Sequence, residues 1–433
     1  MTPAQPLSRA LAHAPSRVLF RARASGRGLR HRYGTPALYG ACAAFAGITA
    51  AVTDLTPHRT WGTIAAAAYG LGALAALAPR GRRHPGTVAV AVLAGAVLIP
   101  LAVLIGTGQA QPEVGVVHRS GAHLLEHGTP YLGPAELAEH DGYEAYNPYL
   151  PGMAVLGLPW ALAGVDARLV FGGLFLGLLA ASAAAAAPRT GTRPWILLAA
   201  SPLVALPLAV GGDDLPVIGL ACLGLALAVR DRPGLAGAAL GAAATLKATA
   251  WPALLVCLVL VAVRGTGRGD GRRRRGAWRG YAASAGAFLA AGVALPALAD
   301  PQGMFHNTVR FPLGLAAVSS PAGSPLPGRL LADLGPYGHA AALAALVTAA
   351  LAMGASLLVR PPADARAAAY RLALGLLLAT ALMPASRWGY LVYPAVLALW
   401  GHITARAVPR TRSAAPVMAR PAERAKEAAW LAA

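Results

Sequence analysis

The sequence predicts an all-α, polytopic transmembrane protein of about twelve spans, on three observations. The chain is 56% hydrophobic and 12% charged, with mean hydropathy +0.54, whereas a soluble domain carries roughly 25% charged residues. Apolar runs near the roughly 20 residues needed to cross a bilayer recur along most of its length, divided by short charged or Pro/Gly-rich connections. Basic residues gather in alternate connections, as expected where they mark the cytoplasmic side. The alternating segments of about ten residues that build membrane barrels are absent. A net charge of +20 would suggest nucleic acid in a soluble protein; here the charge sits between apolar runs and has a topological meaning.

The expected spans are 36–53, 60–79, 86–106, 168–187, 194–210, 214–229, 234–249, 251–264, 281–299, 338–359, 367–384 and 389–405. The pair between 234 and 264 could also form a re-entrant hairpin. Residues 1–35 are Arg-rich without an apolar core and read as a basic cytoplasmic tail. Residues 36–405 form the transmembrane domain, and 406–433 read as a disordered cytoplasmic tail. The stretch "YLPGMAVLGLPWALA", residues 149–163, is apolar but interrupted by Pro151 and Pro159. It is expected to be an embedded or interfacial helix within one long loop.

Charge decides that last choice. With both termini inside and 149–163 not spanning, inner connections hold 30 of the 37 Lys and Arg residues. Counting 149–163 as a span would move every later basic connection outside. Twelve of the 17 acidic residues then fall outside, six of them between Glu113 and Glu144. The two long connections, 107–167 and 300–337, are both outer, so chemistry is expected on the extracytoplasmic face of the cell membrane. Cys42, Cys222 and Cys257 fall in apolar runs and read as packing residues.

In the first outer loop Pro112 is placed to begin a helix. Val117, Gly121, Leu124 and Leu125 form an apolar stripe opposite Arg119, His123, Glu126 and His127, the pattern of an amphipathic helix lying along the outer interface. Glu113 falls in its first turn, where the helix dipole favours an ionised carboxylate. Such a group can either help start the helix or act as a general base. Lys247 interrupts an apolar segment, where a cation marks a functional site unless it snorkels to the interface. Asp213 and Asp214 form a pair in "VGGDDLP", as turn and capping residues or as ligands for acceptor hydroxyls or a divalent metal. His123 and His127 are one turn apart, but spacing fixes no third ligand, so no metal site and no cofactor is assigned.

These stretches together resemble the integral-membrane glycosyltransferases of the GT-C class, closest to glycosyltransferase family 87. The residues are Glu113, Gly121, Leu124, Leu125, Gly128 and Tyr131, followed by "AYNPYLPG", "DARLVFGGLF", "AASPLVALPLAVGGDDLPVIGLACLGLAL", "LGAAATLKATAWPALLV" and "MPASRWGYLVYP". The resemblance covers roughly residues 86–405. It departs at one position: the family's acidic residue is usually Asp, and Glu113 adds a methylene.

The resemblance implies a sugar, mannose first, moved from a polyprenyl-phosphate donor to a glycolipid or glycan acceptor with inversion. Glu113 would be the general base. Lys247, Arg387, Arg329 and Arg168 would bind the donor phosphate, and Asp213, Asp214, Tyr146 and Asn147 would contact acceptor or sugar. Tyr131, Tyr143, Tyr146, Tyr149 and Trp160 are either sugar-stacking residues or interfacial anchors. The rival function is a multi-span transporter or lipid flippase. It predicts repeated halves and polar, broken helices near the midplane, and the sequence shows no repeat.

Overall fold

A computed structural model gives the fold over residues 14–265, 276–313, 315–318 and 320–407. Most of the expected tail beyond residue 406 and the Arg-rich connection 266–275 lie outside the described residues. The described chain is helical and forms no named strand; a single isolated bridge joins Gly323 and Ser386. Among the described residues, eight helices are long and apolar enough to cross a membrane, or nine with one bent pair counted. A twelve-span count needs three shorter helices as well.

The helices are α1 (Ala14–Val52), α2 (Thr56–Leu77), α3 (Pro85–Gly106), α4 (Pro112–His127), α5 (Gly152–Val155), α6 (Leu158–Ala163) and α7 (Ala167–Ala186). There follow α8 (Arg193–Ala199), α9 (Pro202–Val210), α10 (Asp214–Val229), α11 (Pro233–Leu246), α12 (Trp251–Gly265), α13 (Ala277–Ala299), α14 (Pro336–Val359), α15 (Ala365–Leu382) and α16 (Val392–Ala407). The membrane-length part of α1 begins at Tyr33, although its backbone is helical from within the stretch expected as a tail. The short helices are α10, α11 and α16. Residues 149–163 form α5 and α6, neither long enough to span. The centre of the fold is α9, α10 and α11, whose buried Val, Leu, Ala and Gly positions run almost all round each helix. The α13 and α14 helices are largely uncovered, which suits helices facing lipid.

Breaks in the helices are compensated locally, as they must be where water is scarce. Pro100 lies inside α3 and has no N–H for the carbonyl one turn earlier. The fully buried Trp61 indole donates to the Ala96 carbonyl at 2.9 Å, beside a π-helical turn over Ala94–Leu98. Pro202 bends α8 from α9 by 59°. There Ser201 Oγ donates to the Leu198 carbonyl at 2.8 Å, and the Tyr69 phenol donates to Ala200. Trp61→Phe keeps the packing and leaves the Ala96 carbonyl unmet. It should cost about 1–3 kcal/mol, read as a lowered melting temperature in detergent; unchanged melting would refute that role.

The α4 helix is amphipathic, but protein covers its apolar side. Val114, Val117 and Gly121 are buried, whereas Leu125 is half exposed. A Cβ on Gly121 would stand 2.4 Å from the Gly157 carbonyl carbon, so the α4 backbone rests on the turn between α5 and α6. The long loop is therefore a packed layer over the helix ends.

Candidate active site

The ends of α3, α9, α11 and α13 and the starts of α2, α7, α10 and α12 meet beneath that layer. Two short backbone links set the registration. The Gln111 N–H donates to the Val210 carbonyl at 3.0 Å, and the Leu150 N–H to the Leu246 carbonyl at 3.1 Å. The second link occupies a carbonyl that the end of α11 leaves without a helical partner. The Trp251 indole takes another, at Ala244.

Glu113 stands in the first turn of α4 behind Pro112. Its Oε1 accepts from Arg387 Nη1. Only 16% of the Glu113 side chain is exposed, against 35% for Arg387. Arg387 lies in extended backbone after α15. This extended stretch is pinned by Ser324, whose N–H donates to the Ser386 carbonyl at 3.0 Å and whose hydroxyl accepts from the Trp388 N–H at 3.1 Å. Burial works against the guanidinium charge, but Glu113 and then Tyr390 outweigh it and raise the Arg387 pKa.

Next to this pair is a second group. Lys247 is the extended residue between α11 and the turn that starts α12. Its Nζ donates to Asp213 Oδ1 at 2.9 Å and to Asp214 Oδ1 at 2.6 Å. The Asp214 oxygen also accepts from the Tyr393 phenol at 2.8 Å, and that phenol is 2.7 Å from Thr249 Oγ1. Asp214 opens α10, where the dipole favours its charge. Asp213 follows Gly211 at φ +124° and Gly212. A Cβ on Gly211 would strike Val114 of α4 at 2.2 Å, so this turn requires glycine on two counts.

Tyr149 joins the two groups. Lys247 Nζ lies 4.8 Å from its ring centroid, the Tyr131 phenol donates to its carbonyl at 2.9 Å, and its own phenol senses both Asp213 and Glu113. Burial, then those two carboxylates, pushes its pKa far up, so it stays a neutral donor. Among the described residues, the cations paired with Glu113, Asp213 and Asp214 are Arg387 and Lys247. For Asp213, burial raises the pKa, Lys247 lowers it, and Asp214 and Glu113 raise it again; the net value is about 6. Because the shift is upward, the ionised form is the costly one. The stability gained by protonation is fully present below the ordinary value of 3.8 and is lost as pH rises through about 6. Activity that needs this carboxylate ionised should therefore fall as pH drops through about 6. Asp213→Asn should remove that limb from the pH–rate profile; an unchanged limb would assign it elsewhere.

The other expected residues are placed differently. Arg168 is 3% exposed and forms a two-point pair with Asp166, at 2.9 and 2.7 Å, while donating to the Gln109 carbonyl at 2.7 Å. It ties the loop to the start of α7. Arg329 pairs with Asp333 at 2.9 Å one turn on, both well exposed, and among the described residues it makes no ion pair with the cluster. Asn147 is a loop anchor: its N–H donates to Asn307 Oδ1 at 2.8 Å and its amide to the Pro130 carbonyl at 3.2 Å. Tyr146 stacks on Phe311 with ring centroids 4.5 Å apart. His123 and His127 stack on each other, and among the described residues no group of three or more His, Cys, Asp or Glu could hold a metal. The sequence pattern did not single out Tyr390, Tyr393 and Thr249, nor His58, whose Nε2 lies 2.5 Å from the Gln111 amide nitrogen just before α4. The "RWGYLVYP" spacing, which puts Tyr390 and Tyr393 three residues apart after Arg387, was an available signal.

The architecture defines a helical membrane protein with an ionised, tyrosine-lined site where its long connections converge. The family model for glycosyltransferase family 87 matches residues 147–394, and the chain belongs to that family. It is a membrane glycosyltransferase. The match takes in Tyr149, Asp213, Asp214, Lys247 and Arg387, and begins after α4 and Glu113. No curated protein and no solved structure gives a match.

Proposed function

We propose that the protein transfers a sugar, mannose first, from a polyprenyl-phosphate donor to a glycolipid or glycan acceptor by direct displacement with inversion. Glu113 is the general base. The observation that carries this reading is the Glu113–Arg387 pair beside the Lys247 cluster. A base and a phosphate-binding cation stand within one contact of each other. Family membership favours transfer over transport, and the absence of a sequence repeat agrees.

The pair suggests how the steps are coupled. A donor phosphate and Glu113 compete for Arg387. As the phosphate takes the guanidinium, Glu113 is freed to accept the proton of the acceptor hydroxyl. The acceptor oxygen bonds to the sugar carbon, and the old carbon–oxygen bond breaks with its electron pair passing to the phosphate. Arg387 stabilises that growing charge. Lys247 is already shared between Asp213 and Asp214, so it fixes the acidic pair and the Tyr149 ring and reaches the phosphate only at longer range. Arg168 and Arg329 act outside the chemistry. The charge distribution of the sequence supports twelve spans, both termini in the cytoplasm and a site on the outer face of the plasma membrane.

The test is transfer by membrane vesicles containing the full chain, supplied with polyprenyl-phosphate mannose, polyprenyl-phosphate arabinose or nucleotide sugars. Turnover is expected with a lipid-linked sugar. Turnover with nucleotide sugars alone would overturn the donor class.

A further inference from the structure

The two long connections are tied to each other away from the ionised cluster. Thr129 Oγ1 donates to Asp300 Oδ2 at 2.6 Å, and the Asn307 amide donates to the Leu132 carbonyl at 3.0 Å. Leu137, Tyr146 and Phe311 form a small apolar nucleus there, separate from the main core. Beside it lies a cavity of about 330 Å³, lined by Tyr146, His140, Asp141, His306, Arg310 and Val318 among others. That size is at the lower end for small-molecule sites. The proposed chemistry uses none of these side chains.

The lining has the character of a sugar site. Tyr146, stacked on Phe311, lines it with the apolar Leu137 and Val318, a surface suited to the C–H face of a sugar ring. Asp141 can accept from hydroxyls, and Arg310 and the imidazoles can donate to ring and hydroxyl oxygens. A polyprenyl chain would find too many polar groups there. Position selects the acceptor. Tyr146 is three residues from Tyr149, whose ring packs on Lys247, so their Cα atoms are at most roughly 10 Å apart. The cavity is near the reacting centre without being part of it.

We propose that this cavity is a subsite for a further sugar unit of the acceptor glycan, beyond the unit that receives the transferred sugar. This rests on reading the Glu113 cluster as the centre of transfer. It implies that acceptors of several sugars are preferred to single sugars, and that the preference resides in KM.

The test uses the full chain in lipid nanodiscs, with methyl mannoside, mannotriose and a matching arabinan trimer as probes. Saturation-transfer NMR should detect a trimer on the wild type and on Glu113→Gln. It should lose that signal on Ala138→Trp, which fills the cavity from an exposed lining position. Asp141→Ala should raise the KM for the trimer at least fivefold and leave kcat and the KM for the single sugar unchanged. No trimer signal on the wild type would overturn the subsite. So would a signal that survives Ala138→Trp, or equal effects of Asp141→Ala on both acceptor lengths. Trimer binding lost on Ala138→Trp, with no turnover of any sugar donor by the wild type, would support the subsite and count against the transfer reading.

Discussion

Glu113→Gln is expected to lower kcat for sugar transfer by about 10²- to 10⁴-fold, the usual contribution of a general base. The amide cannot take the acceptor proton. It also cannot form the ion pair that occupies Arg387 in the resting site. The donor phosphate then meets a guanidinium with no competitor, so KM for the donor should fall while kcat collapses. This opposed pair of changes separates the mechanism from simple damage to α4, which would raise KM or unfold the protein. A variant that keeps kcat within threefold of wild type would dismiss Glu113 as the base. Glu113→Asp restores the residue type usual in the family but shortens the side chain by a methylene, and partial activity is expected. Steady-state assays over a range of donor concentrations measure both constants.

Lys247→Met should have the largest effect on stability. Lys247 is the cation between Asp213 and Asp214, with side chains 10%, 5% and 13% exposed. Removing one partner of a buried ion pair costs about 3–5 kcal/mol, because the other charge is left uncompensated. Little folded protein should survive, as judged by size-exclusion profiles and melting in detergent. Neutralising the whole group, Lys247→Met with Asp213→Asn and Asp214→Asn, should restore much of the folded fraction without restoring transfer. A single Lys247→Met variant that melts with the wild type would show that the cluster carries no such load.

Much of the fold was readable from the chain because bilayer thickness imposes a length that composition reports. The expected spans fall on helices, with 194–210 divided into the bent pair α8 and α9, and 149–163, expected as one embedded or interfacial helix, forms two short ones. Local features were readable too: Pro112 announces the start of α4, with Glu113 in its first turn, and Lys247 marks a break. Partnerships were not. Glu113 and Arg387 are 274 positions apart, and no periodicity within either segment reports the other. The same holds for Lys247 with Asp213. The stripe on α4 points to a helix lying on the outer interface, whereas protein covers its apolar side, because periodicity reports an apolar face but not what covers it. Two of the expected phosphate ligands have acidic partners close by in sequence. Asp166 precedes Arg168 by two residues at a helix start, and Arg329 and Asp333 are one helical turn apart.

The break at Lys247 has a consequence for how the site tolerates change in length. The lysine is delivered by the end of α11, the aspartates by the start of α10, and the glutamate by the start of α4. Each of these helices is anchored elsewhere by packing. Inserting or deleting one residue within α11 would turn its last position by about 100° and move it by about 1.5 Å along the axis. Lys247 would keep its identity and its immediate neighbours in sequence, yet point away from both carboxylates. The number of residues in a helix is thus as much a determinant of this site as the residues named in it.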